Sequence, residues 1–215
     1  MHQVGKQDYI VLRCTVNNTL KFTQFFGLNI DETLSWKSHI NQILLRLSSA
    51  CYSIKVVTPL MPEDTLKMIY HSYVHSIITC DIIFWGNSPL NTVIFKIQKQ
   101  IIWIMTKSRC RDSCGRLFKQ LEILPLQSQY IFSILLFVVK NKQLHTTNQE
   151  IHNTNTRSNT NLHLPVCNLT IFQKGAYCSV IKLFNHLPQK IKSCSNEIKL
   201  FKPALKRFLN LHSFY

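Results

Sequence analysis

The chain has 215 residues, of which 46% are hydrophobic, and 25 Lys or Arg against 10 Asp or Glu give a net charge of +15. This composition can bury a core and excludes a disordered or collagen-like chain. The longest apolar run, 130–139, is about half of what a membrane-spanning helix needs, and the first residues lack the pattern of a signal peptide. We expect one or two basic domains in the cytoplasm or nucleus, without a membrane partner.

Positive charge is unevenly distributed along the chain. Residues 1–122 carry 14 basic and 8 acidic side chains, whereas residues 123–215 carry 11 basic and 2 acidic ones. Such a surface attracts polyanions, of which nucleic acid is the most common. We therefore expect RNA or DNA as a partner. The alternative is a basic surface that only keeps the chain in solution.

Hydrophobic spacing predicts a mainly α fold that follows a short β element. Tyr9–Leu12 and Leu20–Ile30 are rich in β-branched and aromatic residues, which favours one or two strands ending at Gly27. The first helix is expected to begin at Ser35, its N-cap, and to stop at Thr58 before a proline. Its predicted inner stripe is Trp36, Ile40, Ile43, Leu44, Leu47, Cys51 and Ile54.

Two further helices are predicted from start signals and apolar stripes. Pro62 and the acids after it favour the start of the second helix, and Ser88 before Pro89 caps the third. Between them, 80–85 is an apolar stretch that Gly86 turns. The predicted stripes are Leu66, Ile69, Tyr70, Tyr73, Val74, Ile77 and Ile78 in the second helix, and Leu90, Val93, Ile94, Ile97, Ile101 and Ile104 in the third.

The rest of the chain is predicted to be helical around one polar segment. A basic loop at 109–115 precedes a short helix at about 116–121 and a longer one at about 127–140. Residues 141–161 are rich in Asn and Thr and are expected to form a loop or linker, which makes them the best candidate domain boundary. Beyond it, we expect an extended 162–171 and helices at 174–187 and 196–211, the last with Phe201, Leu205 and Phe208 inward.

The third predicted helix carries the candidate nucleic-acid site. Four residues recur at spacings of three and four on the face opposite the isoleucines, and two arginines extend that face; they are Lys96, Lys99, Trp103, Lys107, Arg109 and Arg111. Lysines and arginines can hold phosphates while the tryptophan stacks on a base. The alternatives are a merely solvated face, or a tryptophan packed under a neighbouring segment.

Catalytic and metal-binding patterns are weak throughout. The adjacent acids Asp31–Glu32 and Glu63–Asp64 lie where helices are predicted to start, a position that favours negative charge. The pairs His71 with His75 and Cys110 with Cys114 lack the second ligand pair of a zinc site. Secreted disulfide-linked scaffolds are smaller than this chain, so we expect the eight cysteines to be free thiols. We also expect the chain to have no catalytic or metal site.

Six segments in order resemble the C-terminal part of reverse transcriptases from jockey-like non-LTR retrotransposons of animals. The matching motifs are FFGLNIDETLSWKSHI (25–40), IIFWGNS (82–88), IFKIQKQIIWIM (94–105), RLFKQLEILPLQSQYI (116–131), KGAYCSVIKLFNHLP (174–188) and FKPALKRFL (201–209). The resemblance covers residues 22–215. Trp103 departs from this resemblance, because related copies carry arginine at that position. The departure favours a chance substitution to tryptophan over a role in stacking on a base.

The resemblance implies an assignment for each part of the chain. Residues 1–34 are the end of a palm-like β element, 35–140 a thumb-like helical region, 141–161 the linker, and 162–215 a small C-terminal helical region. The parent activity is RNA-directed DNA polymerisation with Mg²⁺, and its metal-binding aspartates lie upstream of the matching motifs.

We therefore expect a truncated, non-catalytic fragment of a transposable element with residual nucleic-acid binding and no cofactor of its own. The alternative is a helical protein-interaction module, left from or co-opted out of such an element, which binds the missing palm or itself.

Overall fold

The computed structural model describes residues 22–25, 27–31, 35–152, 161–166, 168 and 176–212. It is mainly α, as predicted, with a short β element before the first helix. Strands β1 (Phe22–Phe25) and β2 (Leu28–Asp31) form an antiparallel hairpin. Gly27 lies in the turn with a φ of 89°, which favours glycine. The prediction that the strands end at Gly27 is therefore wrong, because the chain turns there and β2 continues to Asp31. The strand predicted at 9–12 lies outside the described residues.

Helix α1 (Lys37–Val57) confirms the first predicted helix and its inner stripe. The side chains of Ile40, Ile43, Leu47, Cys51 and Ile54 are buried. The predicted N-cap is one residue early, because Trp36 takes that position with a φ of 60°. Ser35 still contributes, since its Oγ accepts a hydrogen bond of 3.4 Å from the Lys37 N–H.

Polar contacts attach the hairpin to α1. The side-chain amide of Asn29 in β2 donates to Gln42 Oε1 at 2.9 Å, and its backbone N–H points at His39 Nδ1 at 3.5 Å. Asn29 and His39 are both buried. The β element is therefore joined to the helical region by side chains from within the first half of α1.

The second predicted helix is interrupted by a π-helical segment. Helix α2 (Glu63–Ile69) continues into the π segment Tyr70–His75 and then into α3 (Ser76–Thr79). Tyr73, expected on the inner stripe, is exposed, whereas Tyr70 and Val74 are buried. A π-helical turn contains more residues than an α-helical turn. Tyr70 and Val74, which are four residues apart, therefore share the inner face, and Tyr73 lies outside it.

The apolar stretch 80–85 contains a short helix, α4 (Ile82–Trp85). Trp85 is fully buried, and its indole N–H donates to the Cys80 carbonyl at 3.0 Å. A Cβ on Gly86 would lie 2.5 Å from the Ile82 carbonyl oxygen and from Tyr130 Cδ2. The end of α4 therefore approaches its neighbours so closely that only glycine fits.

Seven further helices complete the described part of the chain. They are α5 (Asn91–Met105), α6 (Cys114–Gln120), α7 (Leu126–Lys140), α8 (Asn148–His152), α9 (Ala176–Asn185), α10 (Gln189–Ser193) and α11 (Ile198–Leu211). The predicted helices occur in the expected order and near the expected bounds, but three elements differ. Helix α10 was not predicted, and α8 and a 3₁₀ turn at Lys142–Leu144 lie within the segment expected to be a polar loop. The predicted cap Ser88 is also wrong, because Leu90 is the N-cap of α5.

One hydrophobic core joins these helices. Helix α1 packs along α5, and α7 contacts α3, α4, α5, α9 and α11. The core therefore includes side chains from both sides of the polar segment, such as Leu135 of α7, Ile181 of α9 and Phe201 of α11. Thr147 and Leu162 form a β-bridge that closes the segment between α7 and α9.

A buried glutamine joins three elements at the centre of the core. Gln98 of α5 donates to the Tyr70 hydroxyl at 2.9 Å and to the Leu124 carbonyl at 3.1 Å, and its Oε1 accepts from the Leu126 N–H at 2.9 Å. This inner position was not predicted. Because α5 turns Gln98 inward, Leu90 and Val93 of the predicted apolar stripe lie on an exposed face.

The packing of α1 predicts a sharp contrast between two leucines of the same helix. Leu47 is 0% exposed and Leu45 is 72% exposed. Leu47→Ala should lower the free energy of unfolding by about 2–5 kcal/mol because it leaves a cavity, whereas Leu45→Ala should change it by less than about 0.5 kcal/mol. Urea unfolding of both variants tests this, and equal losses would contradict the assigned inner face.

Candidate nucleic-acid interface

Helix α5 turns its lysines away from the core. Lys96 is exposed, and Lys99 is half-buried with its Nζ 5.0 Å from the centre of the Phe95 ring. Phe95 in turn stacks on Phe118 of α6, with ring centroids 6.2 Å apart. Lys99 is thus held by a cation–π contact beside α6, while Lys96 extends into solvent from the same helix.

The loop after α5 has a defined shape. Lys107 adopts a left-handed conformation, with a φ of 52°, which ends the helix. The Asp112 carboxylate accepts the Arg109 N–H at 2.8 Å, and the Asp112 N–H donates to the Arg109 carbonyl at 2.9 Å. These bonds close a tight turn over 109–112, on which Arg109 and Arg111 are exposed, and Lys107 just before it is also exposed.

Trp103 fastens that loop to α5. Its indole N–H donates to the Asp112 carbonyl at 3.2 Å, and its half-buried ring packs against the core. Of the interpretations open from the sequence, this contact favours a tryptophan packed under a neighbouring segment. The structure therefore brings all six candidate residues to one region, with five as cations and Trp103 as a support for the loop that carries three of them.

The side chains of four of these cations are unpaired within the described residues. Among the described residues, Lys96, Lys107, Arg109 and Arg111 form no ion pair with a carboxylate, and the nearby Asp112 carboxylate accepts the Arg109 backbone N–H. A further lysine, Lys55 of α1, lines a separate groove with Ile97, Gln100 and Ile104 of α5.

The two cysteines near the basic loop are in different environments. Cys110 is exposed in the loop, whereas Cys114 is buried at the start of α6. Burial raises the pKa of the Cys114 thiol to about 11, against the opposing effect of the nearby Lys99 charge. Free thiols are found at the described cysteines Cys51, Cys80, Cys110, Cys114, Cys178 and Cys194.

The two histidines singled out in the sequence are adjacent in the π segment. The ring centroids of His71 and His75 lie 5.2 Å apart. Burial, the neighbouring His71 and the Lys206 charge of α11 together lower the pKa of His75 to about 4. Burial also lowers the pKa of His71, with further contributions from Lys206 and Lys67. Among the described residues, no group of three or more His, Cys, Asp or Glu side chains is placed to hold a metal ion.

An apolar stripe on the outer side of α1 was also missed. Leu45, Tyr52 and Val56 recur at spacings of seven and four and are all exposed; Tyr52 is 70% exposed. This spacing is visible in the sequence, but the stronger inner stripe of the same helix obscures it. Helix α1 therefore carries a second set of apolar residues outside its buried face, and Tyr52 of this set also lines a groove beside α5.

Comparison of the chain with protein-family models, with curated proteins and with solved structures finds no match. Within the described residues, no helix combines the length and the apolar character that crossing a bilayer requires.

The environment of His75 predicts that acid weakens the fold. Its pKa is lowered from 6.5 to about 4 in the folded chain, so the unfolded chain takes up the proton first. The free energy of unfolding should therefore fall as the pH drops through this window. We expect His75→Gln to show a smaller loss than the parent chain in urea unfolding across these pH values. Identical pH dependence of the two proteins would contradict this account.

Proposed function

We propose that this chain is a nucleic-acid-binding module without catalytic activity of its own. The observation that supports this proposal is a group of cations on α5 and on the loop after it. We call this group the basic face and define it as Lys96, Lys99, Lys107, Arg109 and Arg111. Four of these side chains are exposed. Exposed cations without carboxylate partners are suited to phosphate contacts, which supply most of non-specific affinity for nucleic acid.

The order of the sequence motifs supports an origin in the C-terminal region of a non-LTR retrotransposon reverse transcriptase. On this proposal, the helices α1 to α7 derive from the thumb and the part downstream of it. The parent enzyme polymerises DNA on an RNA template with Mg²⁺. The present chain has 10 acidic residues in 215, and its adjacent pair Glu63–Asp64 occupies the first turn of α2. We therefore assign it binding and no polymerisation.

The outer stripe of α1 supports a second candidate function, which is binding of a protein partner or a second copy of the chain. Leu45, Tyr52 and Val56 form one exposed apolar row, which is the kind of surface that a protein partner covers. The two functions respond differently to salt. Apolar contacts are little affected by moderate salt, whereas phosphate contacts release counterions and weaken steeply.

The basic face predicts the salt dependence of binding. If its five cations each meet a phosphate, the slope of log affinity against log salt should be roughly −4 to −5 on duplex and nearer −3 to −4 on a single strand. The double variant Lys96→Gln with Lys99→Gln should flatten the slope by nearly two units. Fluorescence anisotropy with labelled RNA and DNA oligonucleotides at a series of salt concentrations measures both quantities.

The matched control removes the same charge elsewhere. Lys190→Gln with Lys202→Gln changes two exposed lysines of α10 and α11 and should leave the slope nearly unchanged. Equal flattening by the two double variants would show that only net charge matters, and would contradict a defined face. Self-association that is insensitive to salt and abolished by Tyr52→Ala, in the absence of oligonucleotide binding, would favour the second function.

A further inference from the structure

A cavity of about 440 Å³ lies at the end of α7, remote in sequence from the basic face. Among the described residues, its walls come from the end of α7, the 3₁₀ turn after it, residues 145–150, Leu162, α9, α10 and the two residues 195–196. The polar wall includes Lys142, His145, Lys192 and Ser195, and the apolar wall includes Leu162 and Phe184. This volume is within the range of small-ligand sites in proteins. The combination of an apolar wall with a few polar groups is also typical of such sites.

His145 on the polar wall has no partner for either ring nitrogen. The residue is 8% exposed, and neither Nδ1 nor Nε2 has a hydrogen-bond partner. Its ring stacks on Tyr177 of α9, with centroids 5.4 Å apart and planes at 18°. Burial lowers the pKa of His145, so the neutral ring offers one N–H donor and one acceptor. Each nitrogen has less than 1 Å² of exposed surface, so both face the packed wall and not the open space of the cavity.

The two lysines of the polar wall are held by neutral groups. Lys142 Nζ donates to Asn196 Oδ1 at 2.8 Å and to Ser195 Oγ at 3.5 Å. Lys192 Nζ donates to the Asn185 carbonyl at 2.7 Å and to Asn161 Oδ1 at 3.0 Å. Each ammonium group has three donors, so each retains one. The hydrogen bonds position the two charges without neutralising them.

We propose that this cavity binds an organic phosphate of about the size of a nucleoside monophosphate. Its phosphate dianion would accept hydrogen bonds from the remaining donors of Lys142 and Lys192. Its apolar or aromatic body would rest on Leu162 and Phe184. Hydrogen bonds from a charged donor to a charged acceptor are stronger than those between neutral groups.

Glu150 also lines the cavity, but its Oε2 accepts the Thr147 N–H at 2.8 Å. Two ammonium groups against this one carboxylate leave the site with a net positive charge. The site is independent of the proposed nucleic-acid function, because none of its residues belongs to the basic face.

The test is calorimetric titration of the full chain with adenosine 5′-monophosphate, adenosine and inorganic phosphate as probes. We expect saturable binding of the monophosphate, weaker binding of inorganic phosphate, and much weaker binding of adenosine. Lys142→Gln and Lys192→Gln should each weaken monophosphate binding by about tenfold or more. His145→Phe, which keeps the ring on Tyr177 and removes both nitrogens, should leave it within a few-fold, because neither nitrogen reaches the cavity.

Two controls distinguish a built site from general attraction of anions. Lys190→Gln removes the same charge from the exposed side of α10 and should leave monophosphate affinity unchanged. Lys142→Arg keeps the charge and should retain binding within a few-fold, which separates loss of charge from loss of fold. Absence of saturable binding, equal affinity for adenosine and its monophosphate, or equal weakening by Lys190→Gln would overturn the proposal.

Discussion

The burial of Gln98 is the constraint on which the arrangement of the helices depends. Its side-chain amide uses both donors and its acceptor on three different groups, Tyr70 Oη, the Leu124 carbonyl and the Leu126 N–H. Burial raises the pKa of Tyr70, so the hydroxyl stays protonated. Leaving any of these groups unpaired in the core costs about 1–3 kcal/mol. This network therefore fixes α5 against the π segment and against the start of α7.

The orientation of α5 about its own axis determines which of its side chains are exposed to solvent. Once Gln98, Ile101 and Met105 face inward, Lys96 faces outward and Phe95 turns towards α6. The bond from Trp103 to the Asp112 carbonyl then sets the loop. The basic face is thus a consequence of the core, because the helix that supplies its lysines is locked by a buried polar contact. The cavity beside His145 depends on a different contact, the docking of α9 and α10 onto α7.

Local signals in the sequence predicted most of the fold. Proline and acidic residues marked the starts of α2 and α5, and the stripe of α1 identified Ile40, Leu47 and Ile54 as core. Some errors are local, such as the cap at Trp36 and the π segment at Tyr70–His75, whereas the inward position of Gln98 depends on residues distant in the chain. Nothing in the sequence near Gln98 shows that Tyr70 and the turn before α7 will satisfy its amide.

The same limit applied to the candidate sites. Helical spacing was sufficient to place the lysines on one face, because such spacing is local. The partner of Trp103 depends on how the following loop folds back, and the cavity beside His145 depends on α9 and α10. These features could only be found in three dimensions.

The most direct test of the central claim is to map nucleic-acid contacts residue by residue. Backbone amide signals of the isotope-labelled full chain are followed by NMR while a single-stranded oligonucleotide, and then a duplex of equal length, is added. The account predicts that the largest shifts fall on the outward residues of α5 and on 107–113, with α11 and the outer stripe of α1 little changed. Shifts concentrated on α11, or spread evenly over all basic residues, would contradict it.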